Sequence, residues 1–116
     1  MAVTKGLLSA TTANDGQAYS VTTGHGTVHT GPTAATSYDE IWIYASNAHT
    51  ADLELWLGWG ATAGVNANQI RLTITAKTGY KLVIPGLILK GNGSPLIVTA
   101  YAGTASKVNL TGYVNH

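Results

Sequence analysis

The amino-acid sequence predicts an all-β fold, an antiparallel β-sandwich or jelly-roll-like barrel with an extended N-terminal arm. Three observations lead there. Apolar and polar residues alternate with a period of two, as in Ile70, Leu72 and Ile74 against Arg71, Thr73 and Thr75. Glycine-rich turn clusters separate these runs at short intervals, at 60–64, 77–79 and 91–95. Charged residues make up only 9% of the chain, against roughly a quarter in ordinary globular domains. No Leu/Glu/Lys/Ala-rich run offers a helix.

Taken in order, residues 1–37 form the first unit. They are rich in Thr, Ala, Gly and Ser, and their apolar anchors are sparse: Val3, Leu7, Leu8, Tyr19, Val21 and Val28. Such a segment buries too little apolar surface alone to offset its ordering entropy. It reads as an extended arm with one or two short strands, including 17–23, that needs another surface to lie on. Residues 38–116 form the β-sandwich domain. Strands are expected at 39–46, 52–59, 69–76, 80–84, 87–90, 95–102 and 107–114. The alternation recurs in Leu96, Val98 and Ala100 against Ile97, Thr99 and Tyr101, and in Val108, Leu110, Gly112 and Val114.

The first two of these strands pose the central question. Ile41, Ile43 and Ala45 share one face, and so do Leu53, Leu55, Leu57 and Trp59; the opposite faces carry Trp42 and Tyr44, and Glu54 and Trp56. Read as a hairpin with loop 46–52, Ile43 meets Leu55, which sets Trp42 opposite Trp56 and Tyr44 opposite Glu54. Two tryptophans side by side in water would form an exposed apolar patch, a usual mark of a binding surface. The cover could be the chain's own arm, an identical subunit or a foreign partner.

Composition narrows the function. The net charge is +1 and the six basic residues are scattered, so counterion release from nucleic acid has little to work with. There is no cysteine, which removes thiolate metal sites, disulfides and cysteine nucleophiles. No signal-peptide h-region or membrane-length apolar run occurs, so a soluble product made in the cytoplasm, with no membrane partner, is expected. His25 and His29 have the spacing of helical metal ligands, but glycines and β-branched neighbours deny them a helix, and HGTVH reads as a polar loop. His49 and His116 have no partner visible in the sequence. The acids are Asp15, Asp39, Glu40, Asp52 and Glu54; Asp39, Glu40 and Asp52 suit solubilising positions at strand ends better than a facing pair of catalytic carboxylates. A non-catalytic sugar site on Trp42, Trp56, Tyr44 and Glu54 is the stronger alternative. Ser94 is no nucleophile elbow, because Pro95 blocks the helix that should follow, and Gly58, Gly60 and Gly64 precede no helix, as a dinucleotide site would require. No catalytic residue, cofactor or metal is expected.

Three C-terminal pieces carry a resemblance: Ile84-Pro85-Gly86-Leu87-Ile88-Leu89, then Leu96 to Ala102 after a glycine turn, then Val108 to Asn115. With IWIYASNAHTADLELWLGWG (41–60) they extend the likeness over roughly 38–116. The sequence resembles small accessory virion proteins of tailed bacteriophages, the type that includes capsid decoration (cement) proteins; the same motifs suit a neck, tail or fibre component. The resemblance implies a small β-rich module, a homotrimer seated on the major capsid protein of a phage head, with an arm reaching neighbouring subunits and no catalytic residues. On that reading the oligomer or capsid interface uses Trp42, Tyr44, Trp56, Trp59, Tyr101 and Tyr113. The capsid-contacting arm uses Val3, Leu7, Leu8, Tyr19 and Val28.

Overall fold

In the computed structural model, which describes residues 4–12, 16–60 and 69–116, the chain forms two antiparallel sheets over one core. The elements are β1 (Lys5–Leu7), a four-residue helical turn α1 (Ser9–Thr12), β2 (Tyr19–Ser20), β3 (Gly26–Thr30), β4 (Tyr38–Asn47), β5 (Leu53–Trp59), β6 (Gln69–Ile74), β7 (Thr78–Lys90), β8 (Ile97–Ala102) and β9 (Val108–Asn115). Sheet A runs β1-β9-β4-β7, with β2 pairing a second stretch of β9; sheet B runs β3-β8-β5-β6. With β1 and β2 counted as halves of one edge strand, each sheet has four strands. The connections β2–β3, β3–β4, β4–β5, β6–β7, β7–β8 and β8–β9 all change sheet. This is jelly-roll connectivity, and the expected fold class holds.

The strands expected within 38–116 are all present with ends shifted by two residues at most, but 80–84 and 87–90 are one strand. Pro85-Gly86 does not turn the chain; it makes a bulge within β7, between the pairs Ile41↔Leu87 and Trp42↔Pro85. Pro85 is tolerated because β7 is an edge strand, and Gly86 adopts φ 80°, the left-handed conformation of a glycine bulge. A Cβ on Gly86 would come within 2.9 Å of Trp42 Cζ2, so the position excludes other residues twice over. Gly79, expected in a turn, lies in β7; Lys77 takes the positive φ, at 53°.

The hairpin expected between 39–46 and 52–59 is not formed. β4 pairs with β9 and β7, and β5 pairs with β8 and β6. Alternation had assigned the faces correctly: Ile41, Ile43, Ala45, Leu55 and Leu57 are fully buried in one core. Period-two patterning fixes which face a residue occupies, not which strand lies alongside. The chain crosses between sheets at 48–52, and buried Asn47 holds that crossing. Its amide Nδ2 donates to Ala51 O (3.1 Å) and Ile74 O (2.9 Å), and its Oδ1 accepts from His49 N–H (2.8 Å).

Residues 1–37 are not a detached arm. β1 and β2 line one half each of β9, and β3 is the edge of sheet B. Leu8, Val21 and Val28 are fully buried in the common core, and Tyr19 packs against it. The surface this segment needed is the chain's own sandwich, one of whose sides it closes. Leu8 and Val28 are therefore core residues and not capsid contacts. Of the expected arm contacts only Leu7 is substantially exposed, and Val3 lies outside the described residues. β3 escaped the sequence reading because a register shift between Thr27 and His29 breaks its alternation and buries the consecutive residues Val28 and His29.

Two outcomes follow. Gly86→Ala lowers stability by about 1–3 kcal/mol in urea unfolding, whereas Gly79→Ala, with open space around it, stays within about 0.5 kcal/mol. Leu8→Ala costs about 2–5 kcal/mol, and deleting residues 1–30 yields a chain without a cooperative thermal transition.

Candidate functional site

The sandwich places the aromatic residues in three environments. Trp42, Tyr44 and Tyr113 lie on the outer face of sheet A, and Trp56 and Tyr101 on the outer face of sheet B. Trp59 shares the inward parity of Leu55 and Leu57 and packs, half-buried, against the core, apart from the two outer faces. The expected grouping of Trp42, Tyr44, Trp56 and Glu54 is thus divided between opposite faces, and the sugar site drawn from it does not exist.

Each face nevertheless repeats one device. The carboxylate Oε1 of Glu40 accepts from Trp42 Nε1–H at 2.7 Å, and that of Glu54 accepts from Trp56 Nε1–H at 2.7 Å. Both are Glu-x-Trp pairs at i, i+2, neighbours along one face of a strand. On sheet A the Trp42 ring stacks on Tyr113 (centroids 5.9 Å apart, interplanar angle 11°), with Lys5 Nζ 5.2 Å from the Tyr113 centroid. On sheet B the Arg71 guanidinium lies 4.4 Å from the Trp56 centroid and His25 stacks on Tyr101 at 5.0 Å. The wet faces are partly covered by the chain's own cations and imidazole.

What remains bare is unevenly distributed. The exposed large apolar residues among those described are Leu7, Tyr38, Tyr80, Leu82, Leu87 and Ile88. All stand on β1, β4 or β7, the strands of sheet A. One cross-strand row on its outer face reads Leu7, Tyr113, Trp42, Pro85; Leu82 beside Tyr44 and Ile88 beside Glu40 flank it. The edge strand β7 is also guarded against pairing with another strand. It carries Pro85 and the Gly86 bulge, and Lys81 occupies the core-side register position opposite Ala45. A partner of this face meets side chains more than open backbone.

A buried polar chain lies at one end of the sandwich. His29 Nδ1 accepts from the Ser9 backbone N–H (3.1 Å) and lies 3.0 Å from Ser9 Oγ. That leaves Nε2–H to donate to Asp39 Oδ2 at 2.7 Å. Thr30 N–H in turn donates to Ser9 Oγ (3.0 Å). The order serine, histidine, carboxylate is that of a hydrolase triad, but the Nδ1 lone pair that would take the serine proton is already shared with a backbone N–H. Ser9 also lies outside the hollow next to Asp39. The chain fastens the N-terminal segment to β3 and β4. Sequence spacing raised His29 only as a metal-ligand candidate beside His25 and placed it in a polar loop, whereas it is buried in β3; it gave no sign of Ser9. Asp39 could have been found, because it shares the inward parity of Ile41, Ile43 and Ala45, where a charge needs a buried partner. The expected solubilising role is wrong for Asp39, which is 6% exposed. His25 and His29 are also parted, one on Tyr101 and the other in this chain, and Asp15 lies outside the described residues.

Beyond Asp39 the end of the sandwich opens into a hollow of about 430 Å³ bordered by Thr4, Thr36, Ser37, Tyr38 and His116. His116 Nδ1 lies 3.5 Å from Asp39 Oδ1. Among the described residues no helix is long and apolar enough to cross a membrane. Compared with protein-family models, curated proteins and solved structures, the chain matches none.

Glu40 gives the site a measurable acid response. Hydrogen bonds from Asn115 Nδ2–H (3.0 Å) and Trp42 Nε1–H hold its carboxyl below the usual glutamate range, outweighing desolvation. A pKa depressed by folding contributes stability above the unfolded value, about 4.3, and that contribution is lost as pH falls through the folded value. Thermal melts between neutral pH and about pH 3 should therefore show an acid-side loss that is smaller in Glu40→Gln.

Proposed function

We propose that this chain is a structural protein of a tailed-bacteriophage virion. In this reading it is a capsid decoration (cement) protein that binds the outer face of the head and bridges subunits of the major capsid protein as a homotrimer. It is made in the host cytoplasm and ends in the virion. It acts by binding and needs neither catalytic residues nor a cofactor. The observation that carries the reading is the confinement of the exposed large apolar side chains to sheet A. A sandwich with one greasy outer face and one wet face is suited to lying between other proteins on one side and solvent on the other. The resemblance of 38–116 to virion accessory proteins supplies the setting.

The reading assigns Trp42, Tyr44, Tyr113, Leu82 and Ile88 to the protein interface and leaves Trp56 and Tyr101 on the solvent side. Contacts repeated around a shell gain from multivalency, so each can be modest. A net charge of +1 lets the face be covered without burying many unpaired ions.

The test combines native mass spectrometry with sedimentation on undecorated phage heads. The parent forms trimers and sediments with the heads. The double variant Leu82→Ser, Ile88→Ser stays folded, because both residues are exposed, and loses about 2–4 kcal/mol of association free energy. A parent that remains monomeric and stays in the supernatant would overturn the reading.

A further inference from the structure

We propose that the hollow beside Asp39 is a binding site for a neutral sugar ring. Four observations carry this. Its volume, about 430 Å³, is in the range of small-molecule sites. Its polar anchor is built in: Asp39 is 6% exposed, and the His29 hydrogen bond to Oδ2 at 2.7 Å fixes its orientation. His29 is itself held by Ser9 and is 4% exposed. Among the described residues Asp39 Oδ1 makes no hydrogen bond; His116 Nδ1 lies 3.5 Å away, too long for a normal one. Oδ1 is the oxygen left to accept from a donor in the hollow.

The remaining wall decides the class of donor. Tyr38, 52% exposed, presents a ring that no aromatic neighbour among the described residues covers. Thr4, Thr36 and Ser37 add hydroxyls that both donate and accept. An aromatic plane, an oriented carboxylate and several hydroxyls match the two kinds of surface on a pyranose: the apolar C–H face and the equatorial hydroxyls. An amine would also suit a carboxylate and a ring, but it would use only those two, whereas a ring with several hydroxyls also engages Thr4, Thr36 and Ser37.

This site borders sheet A through Tyr38 but uses none of the residues assigned to the capsid interface, so its test stands or falls independently of that reading. Saturation-transfer NMR on the full chain would use glucose, galactose, N-acetylglucosamine and rhamnose, with n-butylamine as the cationic comparison. At least one sugar should show transfer to its ring protons with a dissociation constant in the millimolar range, on the order of −4 kcal/mol. Tyr38→Ala, an exposed change, should weaken that binding about tenfold. Asp39→Asn should weaken it too, with folding checked by circular dichroism. Three results would each overturn the proposal: no transfer to any sugar, butylamine bound in preference to them, or Tyr38→Ala binding as tightly as the parent.

Discussion

β4 and β5 turn their aliphatic faces into one core from opposite sheets, and the rest of the molecule is arranged around that constraint. Each is an interior strand, β4 between β9 and β7 and β5 between β8 and β6. Their inward residues Ile41, Ile43, Ala45, Leu55 and Leu57 are all removed from water. Removing apolar surface from water is the dominant favourable term in folding, and here it can be satisfied only if the chain crosses the sandwich between the two strands. Asn47 makes that crossing tolerable by saturating backbone carbonyls that would otherwise be buried without partners.

Once the inner faces are committed, Trp42 and Tyr44 of β4 and Trp56 of β5 must point outward, on opposite sides of the sandwich. Both sheets handle the exposed indole in the same way, with a glutamate two residues earlier fixing its N–H and a tyrosine from the next strand beside it. The sheets then diverge. Sheet B finishes its row with Arg71 and His25, side chains at home in water. Sheet A finishes with Leu7, Pro85, Leu82 and Ile88. The same local motif thus has a solvated setting on one side and an apolar one on the other, and this difference separates the two faces functionally.

Much of this was legible in the sequence. Alternation identified the inward residues of β4, β5, β6, β8 and β9, and glycine-rich turns marked the ends of β5 and β7. Pairing was not legible, because a strand such as 41–45 carries its facing in its pattern and its neighbour nowhere. Pro85-Gly86 looked like a break between two strands because a bulge and a strand end use the same residues. The N-terminal segment looked unattached because it offers few apolar residues, yet Leu8, Val21 and Val28 each fill a place in the core. The candidate site was the least visible part. Ser9, His29, Asp39 and His116 are brought together from four separate stretches, and only the inward parity of Asp39 hinted at a partner.

The pairing of Lys5 with Asn115 and of Tyr19 with Leu110 ties the earliest strands of sheet A to its latest one. β9 lies between these early strands and β4, so β1 and β2 have no neighbour in the sheet until residues 108–115 have been made, whereas β4 can already pair with β7. That side of the sandwich therefore closes last. Leu8 and Val21, buried in the finished core, stay open to water and to other unfolded chains for that interval.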